Sequence, residues 1–199
     1  MTERERMLSG LLYSAADPEL TALRARAKRL LRQLDAAEPD RREPLLRELL
    51  GAMGQNCCIE PGLYVDYGGN ISLGDNVYIN CGCVILDVAR VEIGSRTAIG
   101  PRVCICTAAH PLDPDVRGRG LEYAKPIRIG ADVWLGANVT LNPGVTIGDG
   151  AVIGSGAVVT HDIPPRVVAV GTPCRVLRQL SADDRAFWEQ QERAYFADR

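Results

Sequence analysis

Rings are scarce in this chain. Aromatic residues make up 5% of its 199 positions, with two tryptophans and two phenylalanines. A core of large planar side chains is excluded, and any interior must be filled by branched aliphatic residues. Charge of one sign is also missing. The formal net charge is −2 and the pI about 5.8, so no basic surface exists to neutralise nucleic-acid phosphates. No apolar run reaches the roughly 20 residues that a membrane-spanning helix needs. The charged start Met1-Thr-Glu-Arg-Glu-Arg6 does not read as a signal peptide. A soluble, cytoplasmic protein is expected, without membrane or nucleic-acid partners. Histidine occurs twice, at His110 and His161, which excludes a zinc centre built from three imidazoles. The seven cysteines are an odd number. Cys81/Cys83 and Cys104/Cys106 are spaced so that each pair, in a strand, faces one way. Neither pair has C-x2-C spacing or neighbouring histidines. They read as small packing residues in a reducing compartment, and no metal is expected.

Glycine, by contrast, is plentiful, and much of it recurs every six residues. Ile129-Gly-Ala-Asp-Val-Trp134, Leu135-Gly-Ala-Asn-Val-Thr140, Leu141-Asn-Pro-Gly-Val-Thr146, Ile147-Gly-Asp-Gly-Ala-Val152 and Ile153-Gly-Ser-Gly-Ala-Val158 share one pattern. An Ile or Leu opens each hexad, a Gly or Asn follows, and Val or Ala stands fifth. Such a short period is the mark of a solenoid. It predicts an all-β solenoid, a left-handed parallel β-helix in which three hexads close one triangular turn. The first residue of each hexad points inward, and the small residue after it is expected at the corner. The pattern extends back through Ile99, Ile93 and Ile79 to Leu73. The 20-residue step from Leu73 to Ile93 exceeds three hexads by two, which places a bulge near Asp87–Arg90.

Three regions follow: a helical cap over 1–55, the β-helix over 56–165 with an ejected loop at 107–126, and a C-terminal strand and helix over 166–199. In the cap, Leu20, Leu23, Ala27, Leu30, Leu31 and Leu34 keep helical spacing. Asp17 before Pro18 starts that helix, and Asp40 with Glu43 starts a second one that stops near Gly51. After Pro165 the chain is expected to leave the coil. Ser181 to Asp184 then caps a helix whose Phe187, Trp188, Tyr195 and Phe196 dock on a neighbouring surface. The segment Thr107–Gly120 is rich in turn residues and cannot be a core hexad. It is a loop thrown out from one corner, and loops of this length are usually functional. It carries His110, held between Ala109 and Pro111. A neutral imidazole can take a proton near neutral pH.

These motifs resemble the maltose and galactoside O-acetyltransferases of the hexapeptide-repeat acyltransferase family. The resemblance rests on Asp66-Tyr-Gly-Gly-Asn70, Val84-Ile-Leu-Asp87, Thr107-Ala-Ala-His-Pro-Leu-Asp113, Lys125-Pro-Ile127, Val133-Trp134, Asn142-Pro-Gly-Val-Thr-Ile-Gly148 and Asp162-Ile-Pro-Pro165, in that order, below a cap with Leu12-Tyr13 and Asp17. It implies a homotrimer with active sites between subunits. His110 would be the general base, moving acetyl directly from acetyl-CoA to a sugar hydroxyl. Asp17, Asp66, Asn80, Asp87 and Val88 match acceptor-side positions, Asp17 being equally well explained as a helix cap. Ala137 and Ser155 match positions along the pantetheine arm. Thr160, His161, Arg175 and Arg178 match positions around the nucleotide end. His161 departs from the family, where lysine is usual. Trp134 reads as a packing residue beside the loop. Other acceptors (a chitin oligosaccharide, an amino sugar, a serine or antibiotic hydroxyl) and a non-catalytic solenoid scaffold are the alternatives. Carbonic anhydrases on the same scaffold need three histidines, which this chain lacks.

Overall fold

The structure, a computed structural model, describes residues 1–197. The coil is the left-handed parallel β-helix that the repeat predicts, of about six turns. Its three faces are parallel sheets of very short strands. Ladder register shows why period six works. On one face Ile59, Ile79, Ile99, Leu135 and Ile153 stack. Val65, Ile85, Ile105, Leu141 and Val159 stack on the second. Leu73, Ile93, Ile129 and Ile147 stack on the third. Each of these side chains is at most 5% exposed. Burial of such a residue contributes roughly 1.5–3 kcal/mol, so the ladders supply the main stabilisation of each turn.

The corner assignment needs a correction. The second-position glycines do not make the turns. The left-handed backbone sits two residues later, at Asn76, Arg96, Arg102, Asp132 and Asn138, with φ of 55–58°. Glycine is needed at the second position because successive coils touch there. A Cβ on Gly100 would stand 2.8 Å from the carbonyl carbon of Gly136.

Three helices precede the coil, α1 (Glu3–Leu8), α2 (Pro18–Asp35) and α3 (Pro39–Leu49); α2 and α3 close its N-terminal end, and Met7 of α1 packs with Tyr13 and Ala124 at the hairpin. Asp17 caps α2, its carboxylate accepting from the amides of Glu19 and Leu20 at 3.0 and 3.3 Å. The expected cap at Asp40 is not formed. Pro39 starts α3, so Asp40 lies inside its first turn and Glu38 takes the cap position. Leu30, Leu31, Leu34, Leu46 and Leu49 join one apolar cluster with Ile59 and Leu63 of the first turn. The first coil strand, Ala52–Met53, follows α3 directly.

The predicted bulge is present. Leu73 pairs with Ile93, and the extra residues form the corner from Asp87 to Arg90. One turn earlier the corner from Asp66 to Asn70 is enlarged in the same way, since Met53 pairs with Leu73. At the far end the coil runs further than expected. Val167–Val170 pairs in parallel with Val152–Ile153, so it is still coil, and only Arg175–Gln179 reverses direction to lie antiparallel beside it.

The ejected segment is an ordered hairpin. Ala108–Ala109 pairs antiparallel with Leu121–Ala124, and a one-turn helix, α4 (Pro114–Arg117), sits at its tip. Helix α5 (Ala182–Ala197) ends the described chain. Ser181 and Asp184 cap it reciprocally, each side chain accepting from the other's amide, at 3.2 and 2.8 Å respectively. None of its described side chains is buried, and Phe187, Trp188, Tyr195 and Phe196 stay 53–67% exposed, against the docking expected of them. No helix among the described residues is long and apolar enough to cross a membrane.

Candidate active site

The hairpin is anchored at its base by Thr107, which is fully buried. Its hydroxyl donates to the Leu86 carbonyl at 2.6 Å and accepts from the Ala89 amide at 2.8 Å. This ties the hairpin to the Asp87–Arg90 corner. The far strand is held by the cap: Tyr13–Ser14 pairs with it, and the Tyr13 hydroxyl donates to Glu122 at 2.8 Å. Burial, then that carboxylate, push the Tyr13 hydroxyl well above its ordinary range, so it stays a donor. His110 follows directly after Ala109. It is exposed, and its ring has no hydrogen-bond partner among the described residues.

Asp87 does not face an open site. It is fully buried and organises the corner before it. One carboxylate oxygen accepts from the amides of Asp66 and Tyr67 at 3.1 and 2.9 Å, and the other from that of Asn70 at 3.2 Å. Burial pushes its carboxyl up to about 6, against these amides, which favour the charged form. A carboxyl raised in the folded state binds protons there that the unfolded chain has released. Its contribution to stability is therefore full at low pH and is lost as pH rises through about 6. Compared with Asp87→Asn, the wild type should lose relative stability between pH 4 and 7. Paired thermal melts across that range check this, and a constant difference would show that the carboxyl is not raised.

Asp66 is half-buried beside this corner. Burial raises its carboxyl, Arg24 and Lys28 oppose the rise, and Glu122 adds to it. Arg24 reaches across from α2 to donate to the Tyr67 hydroxyl at 2.7 Å. Val88 is buried with Tyr13, Leu20 and Tyr67 where cap, corner and hairpin meet. Tyr13, Arg24, Thr107 and Glu122 were not singled out from the sequence. The local signals were Tyr13 within the cap motif and Thr107 at the start of the loop motif; the residues that give all four their roles are distant in sequence.

One chain does not gather all the predicted residues. Asp66, Asp87, Val88 and the His110 hairpin stand where the Val84–Leu86 and Cys104–Cys106 strands end. Asn80, Ala137 and Ser155 stand at the opposite corner, before those strands begin. At about 3.3 Å per residue the two edges are roughly 15–20 Å apart. Asn80 accepts from the Cys81 amide at 2.8 Å. The Ala137 amide is already bonded to the Ser155 hydroxyl at 3.1 Å. At the end of the coil Thr160 bonds the His161 ring at 2.9 Å, and His161 and Arg175 line one groove of about 350 Å³. Arg178 lies elsewhere. Asp184 grips it through both oxygens at 2.6 and 2.9 Å, in a second groove with Trp134 and Trp188. Trp134 is thus not packed beside the loop but stands 58% exposed.

The cysteine pairs divide. Cys83 is buried and Cys81 exposed, because both lie in the corner between the Tyr78–Ile79 and Val84–Leu86 strands, where the alternation of a strand does not apply. Cys104 and Cys106 do share a face. Among the described residues no group of three or more His, Cys, Asp or Glu side chains is placed to hold a metal ion.

Residues 6–54 match the maltose acetyltransferase hexapeptide capping motif, and residues 126–161 match the bacterial transferase hexapeptide of six repeats. Nodulation protein L of Rhizobium meliloti is 49% identical over 88% of this chain and 97% of its own length. The chain belongs to the hexapeptide-repeat acetyltransferases. Within that family, the crystal structure of a maltose O-acetyltransferase from Clostridium difficile superposes with a TM-score of 0.89. It is 46% identical and covers 91% of this chain and 98% of that one. A galactoside acetyltransferase in complex with coenzyme A gives a TM-score of 0.89 at 41% identity, covering 93% and 94%. The family match spans both the cap and the coil, and so both of the units that position the His110 hairpin.

Proposed function

We propose that this protein transfers an acetyl group from acetyl-CoA to a hydroxyl of a sugar or glycoside, with His110 as general base. The place of His110 carries the reading. It is an exposed histidine with a free ring, on a hairpin that interrupts the coil, pinned at one strand by Thr107 and at the other by Tyr13 and Glu122. A base that must reach an incoming hydroxyl needs such a fixed and open position. Coenzyme A in a family member of the same fold supports the donor. The acceptor class rests on the maltose- and galactoside-type relatives and on the carboxylate-lined corner under the cap. Asp66 and Asp17 serve there as acceptor contacts, while Asp87 holds the corner that presents Asp66.

The separation of the two edges supports sites shared between chains. The edge carrying Asn80, Ala137 and Ser155 on one subunit meets the edge carrying His110 on the next, in a closed homotrimer. The acetyl group passes in one step within the ternary complex, without an enzyme-bound acetyl and without a metal. Coenzyme A should raise the melting temperature, whereas a non-catalytic scaffold would show no shift.

Arg175, which donates to the Cys174 carbonyl at 2.8 Å but joins no ion pair among the described residues, meets the nucleotide end beside Thr160 and His161. Arg175→Ala should weaken use of acetyl-CoA by roughly 10- to 100-fold, the worth of a charge-assisted contact to phosphate. A truncated acetyl-pantetheine donor should be unaffected. Arg178, already paired with Asp184, should cost less when replaced. Steady-state kinetics with the two donors checks this, and equal losses with both would remove Arg175 from the nucleotide site.

A further inference from the structure

Two thiols have no part in the proposed reaction. Cys104 and Cys106 both point outward, because Ile105 between them takes the inward position. Their sulfurs lie 3.3 Å apart and both are free thiols. The strand is central in a five-stranded sheet and paired on both sides, so its backbone holds the two side chains together. Val84 and Thr140 flank Cys104, and Leu86 flanks Cys106. The strand leads directly into Thr107 and the His110 hairpin, and the Asp66 carboxylate acts on Cys106 through space. The pair therefore lies on the face between the Asn80 corner and the His110 corner, immediately before the hairpin that carries the proposed base.

We propose that Cys104 and Cys106 chelate a single thiophilic metalloid centre of the trivalent arsenical class, and that filling this site shuts off transfer. The second half rests on the functional reading above, and the first does not. The spacing selects the ligand. With bonds to sulfur of about 2.3 Å, two thiolates on a tetrahedral ion stand about 3.8 Å apart, and on a linear one about 4.6 Å. At angles near 90°, those of a pyramidal three-coordinate centre, the same bonds give about 3.3 Å. The pair already has that spacing. Its protons suit the reaction too. The hydrogen bond shared with Cys106 lowers the pKa of Cys104, which favours the nucleophilic thiolate there beside a thiol. Cys104 attacks the arsenic of an aryl arsenic(III) oxide, one As–S bond forms, and the oxygen takes up a proton. Cys106 forms the second As–S bond, and its proton leaves with the hydroxide as water. The oxide oxygen thus departs as one water, carrying the Cys106 proton and the proton that Cys104 had released to solvent, with no change of oxidation state.

The test treats the native, assembled protein with equimolar phenylarsine oxide, then measures intact mass and acceptor-dependent acetyl transfer. One phenylarsenic per chain is expected, stable to excess monothiol, removed by a small dithiol, and matched by loss of transfer. Cys104→Ser and Cys106→Ser should each raise the concentration needed by roughly 10²-fold or more, the margin given by a linked second contact. Cys58→Ser and Cys81→Ser should change nothing. The alanine variants at 104 and 106, with melting curves like the wild type, keep the comparison among folded proteins. An adduct that persists in Cys104→Ser or Cys106→Ser, or that forms only after unfolding, overturns the chelate. A full adduct with undiminished transfer overturns the inhibition. If no transfer is found in untreated protein, the mass result still decides the chelate, so the two readings fail separately.

Discussion

His110→Ala should lower turnover by roughly 10²–10⁴-fold, the usual effect of removing a general base, and leave the melting temperature unchanged. The second outcome follows from position. The ring is exposed and makes no hydrogen bond within the described residues, so the fold loses nothing with it. The hairpin keeps its anchors at Thr107 and Tyr13, which do not involve the imidazole. Coenzyme A binding should also survive, since its proposed contacts are Ala137, Ser155 and Arg175 rather than the imidazole. Turnover measured beside a thermal melt checks both. Full activity would remove His110 from the mechanism, and a large fall in melting temperature would make its role structural.

A second large effect concerns assembly. His110→Ala and Asn80→Ala should each be nearly inactive alone, Asn80 through loss of an acceptor-side contact near the base. If the two residues act from different chains, unfolding the variants together and refolding them should restore activity. Random assortment in a trimer leaves about a quarter of the interfaces with both native residues, and so about a quarter of wild-type activity. Each variant refolded alone is the control. A mixture no more active than its components would show that one chain supplies both residues, against their placement at opposite corners of one face.

The coil was legible because it is the simplest code a chain can carry. An inward aliphatic residue every six positions reports directly on the ladders Ile59 to Ile153, Val65 to Val159 and Leu73 to Ile147. The bulge at Asp87–Arg90 could be counted from the break in period. The sequence does not state why a small residue is needed. Gly100 reads as a corner, yet it is small because the next coil lies against it. The same gap separates the recognised site from its supports. Asp87 was legible as a site position, but its duty to three amides of the preceding corner depends on a neighbour one turn away. Tyr13 and Glu122 are 109 residues apart and meet only because the cap and the hairpin pair. Asp184, six residues beyond Arg178, was legible as a helix-cap residue, but its grip on Arg178 rather than Arg175 shows only once the strand and helix are in place. What periodicity or local motif encodes was readable; what depends on contact between distant segments was not.

The proposed activity is tested most directly by weighing its products. Purified protein is incubated with acetyl-CoA and, separately, with maltose, glucose, a galactoside, a chitin oligosaccharide, an amino sugar and serine. The mass of acceptor and of intact enzyme is followed together with the release of free thiol. A sugar or glycoside should gain one acetyl group as an ester, with one free thiol for each, while the enzyme's mass stays unchanged throughout. Acetyl accumulating on the enzyme at a rate fast enough for turnover would contradict direct transfer. Acetylation of serine alone, or of no acceptor in the panel, would contradict the sugar O-acetyltransferase reading itself.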